Sequence, residues 1–544
     1  MGIHEQLHFL KEAYGDSTKL ALAAVDIAFS TLPDNDREDL KNALKAAAIP
    51  HWCDLTVLAI LHQISLHDAS ILLERLSKLT SVELYPARGI NALNVHETTR
   101  SALRKRMALD QPDLFRNISA KAKDYFEKDL TSSGRIEWIY HFLSADPDQG
   151  ALACEVMIRK WIREGYTEGY DIFIRVLKEL VDDNLLKGRA LVVVLLCIGE
   201  AKSYQGETVQ LESLAKEALV ISRRIGYLSG IARANALLGD VFQAQGLLTE
   251  AKTFFEEYLL INRQLCEKDP NNLSLQRDLA ASFIKVGGVL RVKGKLVEAK
   301  TAIDKGLRIF RQLCEQNPNN ASWQRDLATA FIKIGGVLQA KGQLDEARLV
   351  FEQGLRINRQ LCDQNPNNAD WQRGLAIALS RSGNVLQEGG KLIEAKTAFE
   401  KNLRIIGRLC DQYPDNTDWQ LDLAMAYRRA GNVLLAEGRL VEAKEAYEKE
   451  LSISSQLSRQ DPSNADWRRG VALAYLSVGD VLLTEGQLIE ARTAFENSLH
   501  ISLQLYDQES TNAVWHSDLA AVYIRIGDVF KAQGCLLEAK IALE

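Results

Sequence analysis

The sequence predicts an all-α chain: a right-handed α-solenoid of helical hairpins over residues 230–544, preceded by a small helical domain that carries one β-hairpin. Two observations predict the solenoid. Trp323, Trp371, Trp419, Trp467 and Trp515 recur at a step of 48 residues, and two glycine columns, Gly239 to Gly527 and Gly246 to Gly534, keep that step. Units 275–322 and 323–370 share 31 of 48 residues. A period between about 20 and 50 residues marks one supersecondary unit stacked on copies of itself. A third observation sets the first part of the chain apart: seven of nine histidines lie before residue 162, where the period is absent.

Each unit reads as two antiparallel helices. In 323–370 the first carries Trp323, Leu327, Phe331 and Gly335, an i, i+4 row down one face. Asn319 and Asn320 just before it are suited to cap the free N–H groups of its first turn. Gly342 lets the chain reverse, because glycine adopts positive φ without steric cost. The second helix starts near Leu344, carries Ala347, Phe351, Leu355 and Cys362 inward, and stops at Asn365-Pro366. Gly335 and Ala347 are small enough to let two helix backbones approach closely. Cys266, Cys314, Cys362 and Cys410 share one column with Ser458 and Tyr506, so this column is a packing position and no metal site is expected. The recurring Glu250 to Glu538 column lies in the first turn of each second helix, where it complements the helix dipole.

These units resemble the tetratricopeptide repeat. The aromatic-to-glycine pairs Phe331–Gly335, Tyr427–Gly431, Tyr475–Gly479 and Tyr523–Gly527 carry the resemblance, with Leu344, Ala347, Phe351, Leu355 and Pro366. The period exceeds that family's by about four helical turns, two per helix, which return the buried stripe to the same face. Helices of roughly 20 residues, about 30 Å long, are therefore expected. Gly199 and Gly206 keep the seven-residue glycine step, so 186–229 reads as a degenerate repeat. The last unit breaks off at Glu544, and the expectation is that the chain is a fragment.

The resemblance implies a concave groove lined by first helices. The residue after the key glycine would face it: Asp240, Gly288, Gly336, Asn384, Asn432, Asp480 and Asp528. Two residues before that glycine runs a mostly basic column: Lys285, Lys333, Arg381, Arg429, Ser477 and Arg525. Amides at regular spacing can bond a peptide backbone, and a basic row can hold acidic side chains. The candidate site is therefore Lys333, Arg381, Asn384, Arg429, Asn432, Asp480, Arg525 and Asp528, and the expected partner is a protein or peptide, acidic ones included. A solvated helix face is the alternative. The carboxylate clamp of chaperone-binding relatives is not expected, since Ile284, Ile332, Ser380 and Arg428 occupy one of its positions and Ala281, Thr329, Ile377 and Met425 the other.

Before the repeats, Asp36–Ala48, Leu55–Ile64 and Ser65–Leu79 read as helices. Val82–Tyr85 and Ala92–Val95 then read as strands around a Pro86–Gly89 turn, followed by a helix from Thr98 to about Leu109. Three helices and a hairpin form a winged-helix pattern over 1–125, with a helical connector over 126–185. The segment is similar to the winged-helix region of STAND-type signalling ATPases, on Leu72–Leu84, Leu93-Asn94-Val95-His96 and Thr99-Arg100. Glu137–Phe142 with Asp146-Pro147 resembles the connector that precedes repeats in such proteins. The resemblance implies that His96 can face a nucleotide when a nucleotide-binding domain is supplied elsewhere. Glu97 departs from it, standing where aspartate is commoner.

No phosphate loop follows from this sequence: Gly294-Lys295 and Gly390-Lys391 are both followed by leucine. No cofactor, metal or catalytic residue is expected, and the chain reads as no enzyme. A net charge of -6 argues against bulk nucleic-acid or membrane binding. The Ser65–Leu79 helix sets Asp68 and Glu74 against Arg75 and Lys78, so a DNA reader is a lesser alternative. The run Arg100, Arg104, Lys105, Arg106 reads as a solvated face. The longest apolar run, Ala190–Gly199, is about half a bilayer span. Residues 1–15 show no apolar export segment, and Gln6 breaks the myristoylation pattern. A cytoplasmic protein is expected, either an interaction scaffold or the sensor half of a STAND-type switch.

Overall fold

The computed structural model describes residues 10–11, 13–30, 32–164, 169–204 and 207–543. It divides into two compact units, one of Met1–Trp161 with Tyr166–Ile198 and one of Ile162–Gly165 with Gly199–Glu544. Residues 1–9 and Gly206, used in the sequence reading, lie outside the described residues.

In the first unit, helices Ser17–Ser30, Asp34–Ala47, Leu55–His62 and Leu66–Leu76 precede a two-stranded antiparallel ladder, Val82–Leu84 against Leu93–Val95. Asp54 accepts from Val57 N–H and Ser65 from Asp68 N–H, which fixes where two of these helices begin. The register pairs Val82 with Val95 and Leu84 with Leu93, and Cys53 adds an isolated bridge to Leu93. Phe29, Leu44, Val57, Leu58, Leu76, Val95 and Phe126 share one buried core. The helix expected over Ser65–Leu79 is shorter, running Leu66–Leu76, and Leu66 and Ile71 face solvent rather than the core. The run after the hairpin also differs from its reading as a solvated face. Arg104 is 1% exposed and Arg100 is buried too. Arg104 meets Glu179 and Asp183, each at 3.0 Å, and Arg100 meets Glu179 at 3.2 Å. A charge run gives no sign of carboxylates that lie some eighty residues away along the chain.

The second unit repeats one hairpin. First helices such as Ala321–Ala340 and Ala369–Glu388 hold 20 residues, and second helices such as Leu344–Gln364 and Leu392–Gln412 hold 21. Each first helix packs on the second helix of its own repeat and on that of the repeat before, the arrangement of an α-solenoid. Asn320 accepts from Trp323 N–H at 3.2 Å, and Asn272, Asn368, Asn416, Asn464 and Asn512 cap the other first helices from Leu273 onward in the same way. Gly342, with φ +75°, reverses the chain, and Gln343 N–H bonds Leu338 O at 2.9 Å.

The small column works differently from a backbone-to-backbone approach. A Cβ on Gly335 would stand 2.6 Å from Phe351 Cε1, and one on Gly431 would stand 2.4 Å from Tyr447 Cε1. The glycine leaves room for a ring from the second helix, so helix–helix distance is set by an aromatic side chain lying on bare backbone. Trp419, Trp467 and Trp515 are buried, extending the apolar stripe into the lengthened part of the hairpin.

Candidate functional site

The first helices place two columns of charge on the inner face of the second unit, and each column bonds across repeats. In one, the base two residues before the key glycine reaches back 45 residues: Lys285 Nζ to Asp240 Oδ1 at 2.5 Å, and Arg429 Nε to Asn384 Oδ1 at 3.2 Å. Arg525 Nε meets Asp480 Oδ1 at 2.6 Å in the same relation. In the other, an arginine near the start of a first helix reaches forward 49 residues: Arg277 to Asp326 at 2.5 Å, Arg373 to Asp422 at 2.7 Å, and Arg469 to Asp518 at 2.5 Å. Arg325 breaks this step and takes Asp370 at 2.9 Å, because Gly374 stands where its partner would be.

The repeats wind far enough to meet themselves. Gln508 Nε2 donates to Gln245 O at 2.6 Å across 263 residues, and Thr208 bonds Asp461 across 253. The Trp515 ring lies on the turn at Gly246, where a Cβ would stand 2.2 Å from Trp515 Cη2. The inner face thereby forms a lumen that holds cavities of about 340 and 550 Å3.

Of the residues singled out from the sequence, Lys333, Arg381 and Arg429 line the smaller cavity. Arg381, Asn384, Arg429 and Asn432 line the larger one. Asn432 Oδ1 accepts from the Tyr447 hydroxyl at 2.7 Å. Asp480, Arg525 and Asp528 form a separate cluster, Arg525 also meeting Asp528 at 3.5 Å. His96 belongs to the first unit, exposed at the start of Glu97–Asp110. Sequence reasoning missed Arg291, Arg325, Arg373 and Glu450. The recurring arginine two residues after the tryptophan position, at 325, 373 and 469, was the available signal.

Enclosure reshapes the ionisation of the lumen. Burial, reinforced by Arg291, Lys285 and Arg381, lowers the Lys333 ammonium to about 8. Burial and neighbouring arginines also hold Arg291 and Arg381 below their ordinary value. Glu450 moves the other way, raised by burial to about 7 although Arg428 lies 3.2 Å away.

Residues 232–265 and 327–368 each match a family model described as tetratricopeptide repeat. These hairpins are tetratricopeptide repeats. No curated protein matches the chain. Among solved structures, a STAND ATPase with a tetratricopeptide repeat sensor from Pyrococcus horikoshii is similar at 12% identity, covering 95% of this chain and 72% of that one, with a TM-score of 0.47. The apo quorum sensor NprR from B. thuringiensis is similar at 15% identity, covering 73% and 97%, with a TM-score of 0.46. BtubC from P. vanneervenii is similar at 17% identity, covering 46% and 88%, with a TM-score of 0.34. The tetratricopeptide repeats here reach a 48-residue period through first helices of 20 and second helices of 21 residues. Among the described residues no single helix is long and apolar enough to cross a membrane.

Proposed function

We propose that residues 230–544 are a non-enzymatic interaction scaffold that takes a peptide, or an extended segment of a partner protein, along the lumen of the repeats. The observation that carries this reading is the larger cavity, about 550 Å3, where Arg381, Asn384, Arg429 and Asn432 from successive first helices face the same space. Side chains that repeat at one-hairpin intervals suit a ligand that itself repeats, as a peptide backbone does. Panning a phage-displayed random peptide library against the purified full chain tests it. Enriched peptides should lose binding when Arg381, Asn384, Arg429 and Asn432 are all replaced by alanine, with an unchanged circular dichroism spectrum. No enrichment on the wild type, or undiminished binding by the variant, overturns the reading.

A second reading, the regulatory part of a STAND-type switch, is favoured by His96, which stands exposed at the start of the helix that follows the hairpin. Sequencing the coding region upstream of Met1 tests it, since a phosphate loop must be found there.

A further inference from the structure

Six cationic side chains, Arg291, Arg325, Lys333, Arg373, Arg381 and Arg429, line the smaller cavity with only two carboxylates, Asp370 and Asp422. Those two are taken: Arg325 holds Asp370 at 2.9 Å and Arg373 holds Asp422 at 2.7 Å. Among the described residues, Arg291, Lys333, Arg381 and Arg429 have no carboxylate within ion-pair distance. The cross-repeat ladder explains why for three of them. The position 45 residues back, which is aspartate for Lys285 and Arg525, is Gly288 for Lys333, Gly336 for Arg381 and the neutral Asn384 for Arg429.

Four uncompensated cations share one cavity; burial first, and neighbouring cations second, hold Lys333, Arg291 and Arg381 below their ordinary values. Such a cluster destabilises the empty protein and is relieved when an anion enters. Guanidinium forks match planar carboxylate and tetrahedral phosphate oxygens, and Ile332, Ile377 and Met425 give the cavity low-dielectric walls. A cavity of about 340 Å3 is the size of a small-molecule site. Its lining contains no aromatic ring, so it offers no stacking platform for a nucleobase. An extended peptide would bring at most one carboxylate per residue into so short a space, too few for four cations.

We propose that this cavity binds a small, multiply charged oxyanion, carrying phosphoryl or carboxylate groups, through Arg291, Lys333, Arg381 and Arg429. The two cavities share Arg381 and Arg429, but this site rests on the charge balance of the smaller one and does not need a protein partner.

Calorimetric titration and thermal unfolding of the full chain at low ionic strength, with tripolyphosphate, with citrate and with a hexaglutamate peptide, test it. Tripolyphosphate or citrate should bind with one-to-one stoichiometry and raise Tm, and the effect should shrink with added salt. The tighter of the two identifies the phosphoryl or the carboxylate source. Lys333→Gln and Arg381→Gln should each weaken binding by roughly tenfold or more, whereas Lys401→Gln, on the outer face, should not. Failure of both anions to bind the wild type overturns the proposal without recourse to any variant. Binding unaltered in the Lys333 and Arg381 variants, or binding of hexaglutamate alone, overturns it as well.

Discussion

Arg429 Nε donates to Asn384 Oδ1 at 3.2 Å across 45 residues, the same relation that joins Lys285 to Asp240. The ladder skips Arg381, whose partner position is Gly336, a helical residue with open space around it. Gly336→Asp should therefore supply the missing rung. It should raise Tm above that of Gly336→Ala, which gains only helix propensity of about 1 kcal/mol, and it should weaken any tripolyphosphate response. Thermal unfolding of the two variants side by side measures the difference. Equal Tm values would show that Arg381 lacks nothing in the empty lumen.

The ring-on-glycine contact predicts a stability loss without a change of fold. Gly335→Ala places a methyl 2.6 Å from Phe351 Cε1, and the ring is fully buried. Overpacking of this kind costs about 1–3 kcal/mol. Denaturant unfolding should show that loss for Gly335→Ala, and part of it should return in Gly335→Ala combined with Phe351→Leu. A Gly336→Ala control, one residue away with nothing near its Cβ, should show no loss.

The hairpins were legible because their determinants are local. Asn320 caps a turn three residues on, Gly342 carries its own positive φ, and the stripe Leu327, Phe331, Gly335 stays within one helix. The charge ladders were legible only as columns. A basic column states that a cation recurs, but its pairing depends on the neighbouring repeat, so Lys285 and Lys333 look alike in sequence and differ in the fold. Arg104 was misread for the same reason, its partners Glu179 and Asp183 lying far along the chain. The meeting of Trp515 with Gly246 was invisible, because it accumulates from a small rotation at every repeat and no single residue encodes it.

That meeting predicts a mechanical response. Trp515 is buried, packed with Ala465 and Leu505 and lying on the Gly246 turn. Trp515→Ala removes the ring from both contacts, at a cost of about 3–5 kcal/mol, and leaves the closure to two hydrogen bonds, Gln508–Gln245 and Thr208–Asp461. The superhelix should then open, read as a larger radius of gyration in small-angle scattering with helical circular dichroism retained. An unchanged radius would mean that the per-repeat packing alone sets the winding.

The ionic cluster of the first unit predicts an acid limb to its stability. Burial would raise the Glu137 carboxyl, but His51 at 2.9 Å and His141 at 3.3 Å overcome it and hold it well below the usual carboxylate range. Glu179 is lowered likewise, against burial, by His51, Arg104 and Arg100. A depressed carboxylate contributes stability that is complete above its ordinary value near 4.5 and is lost as pH falls below it. The two histidines oppose each other closer to neutrality. His51 is raised, since Glu137 and Glu179 outweigh its burial, and its contribution fades as pH rises past 6.5. His141 is lowered by burial, and its contribution fades as pH falls past 6.5. Asp183 lies in the same cluster, meeting Arg104 and Lys105 at 3.0 Å each. Hydrogen exchange of Glu97–Asp110 and Ser132–Ala145, corrected for intrinsic rates, should show protection that holds to about pH 5 and falls steeply below the ordinary carboxylate value. Glu137→Gln should cost about 3–5 kcal/mol at pH 7, since it removes the buried anion that holds His51 charged. It should also flatten the acid limb, and a limb of unchanged steepness in that variant would place the titration elsewhere.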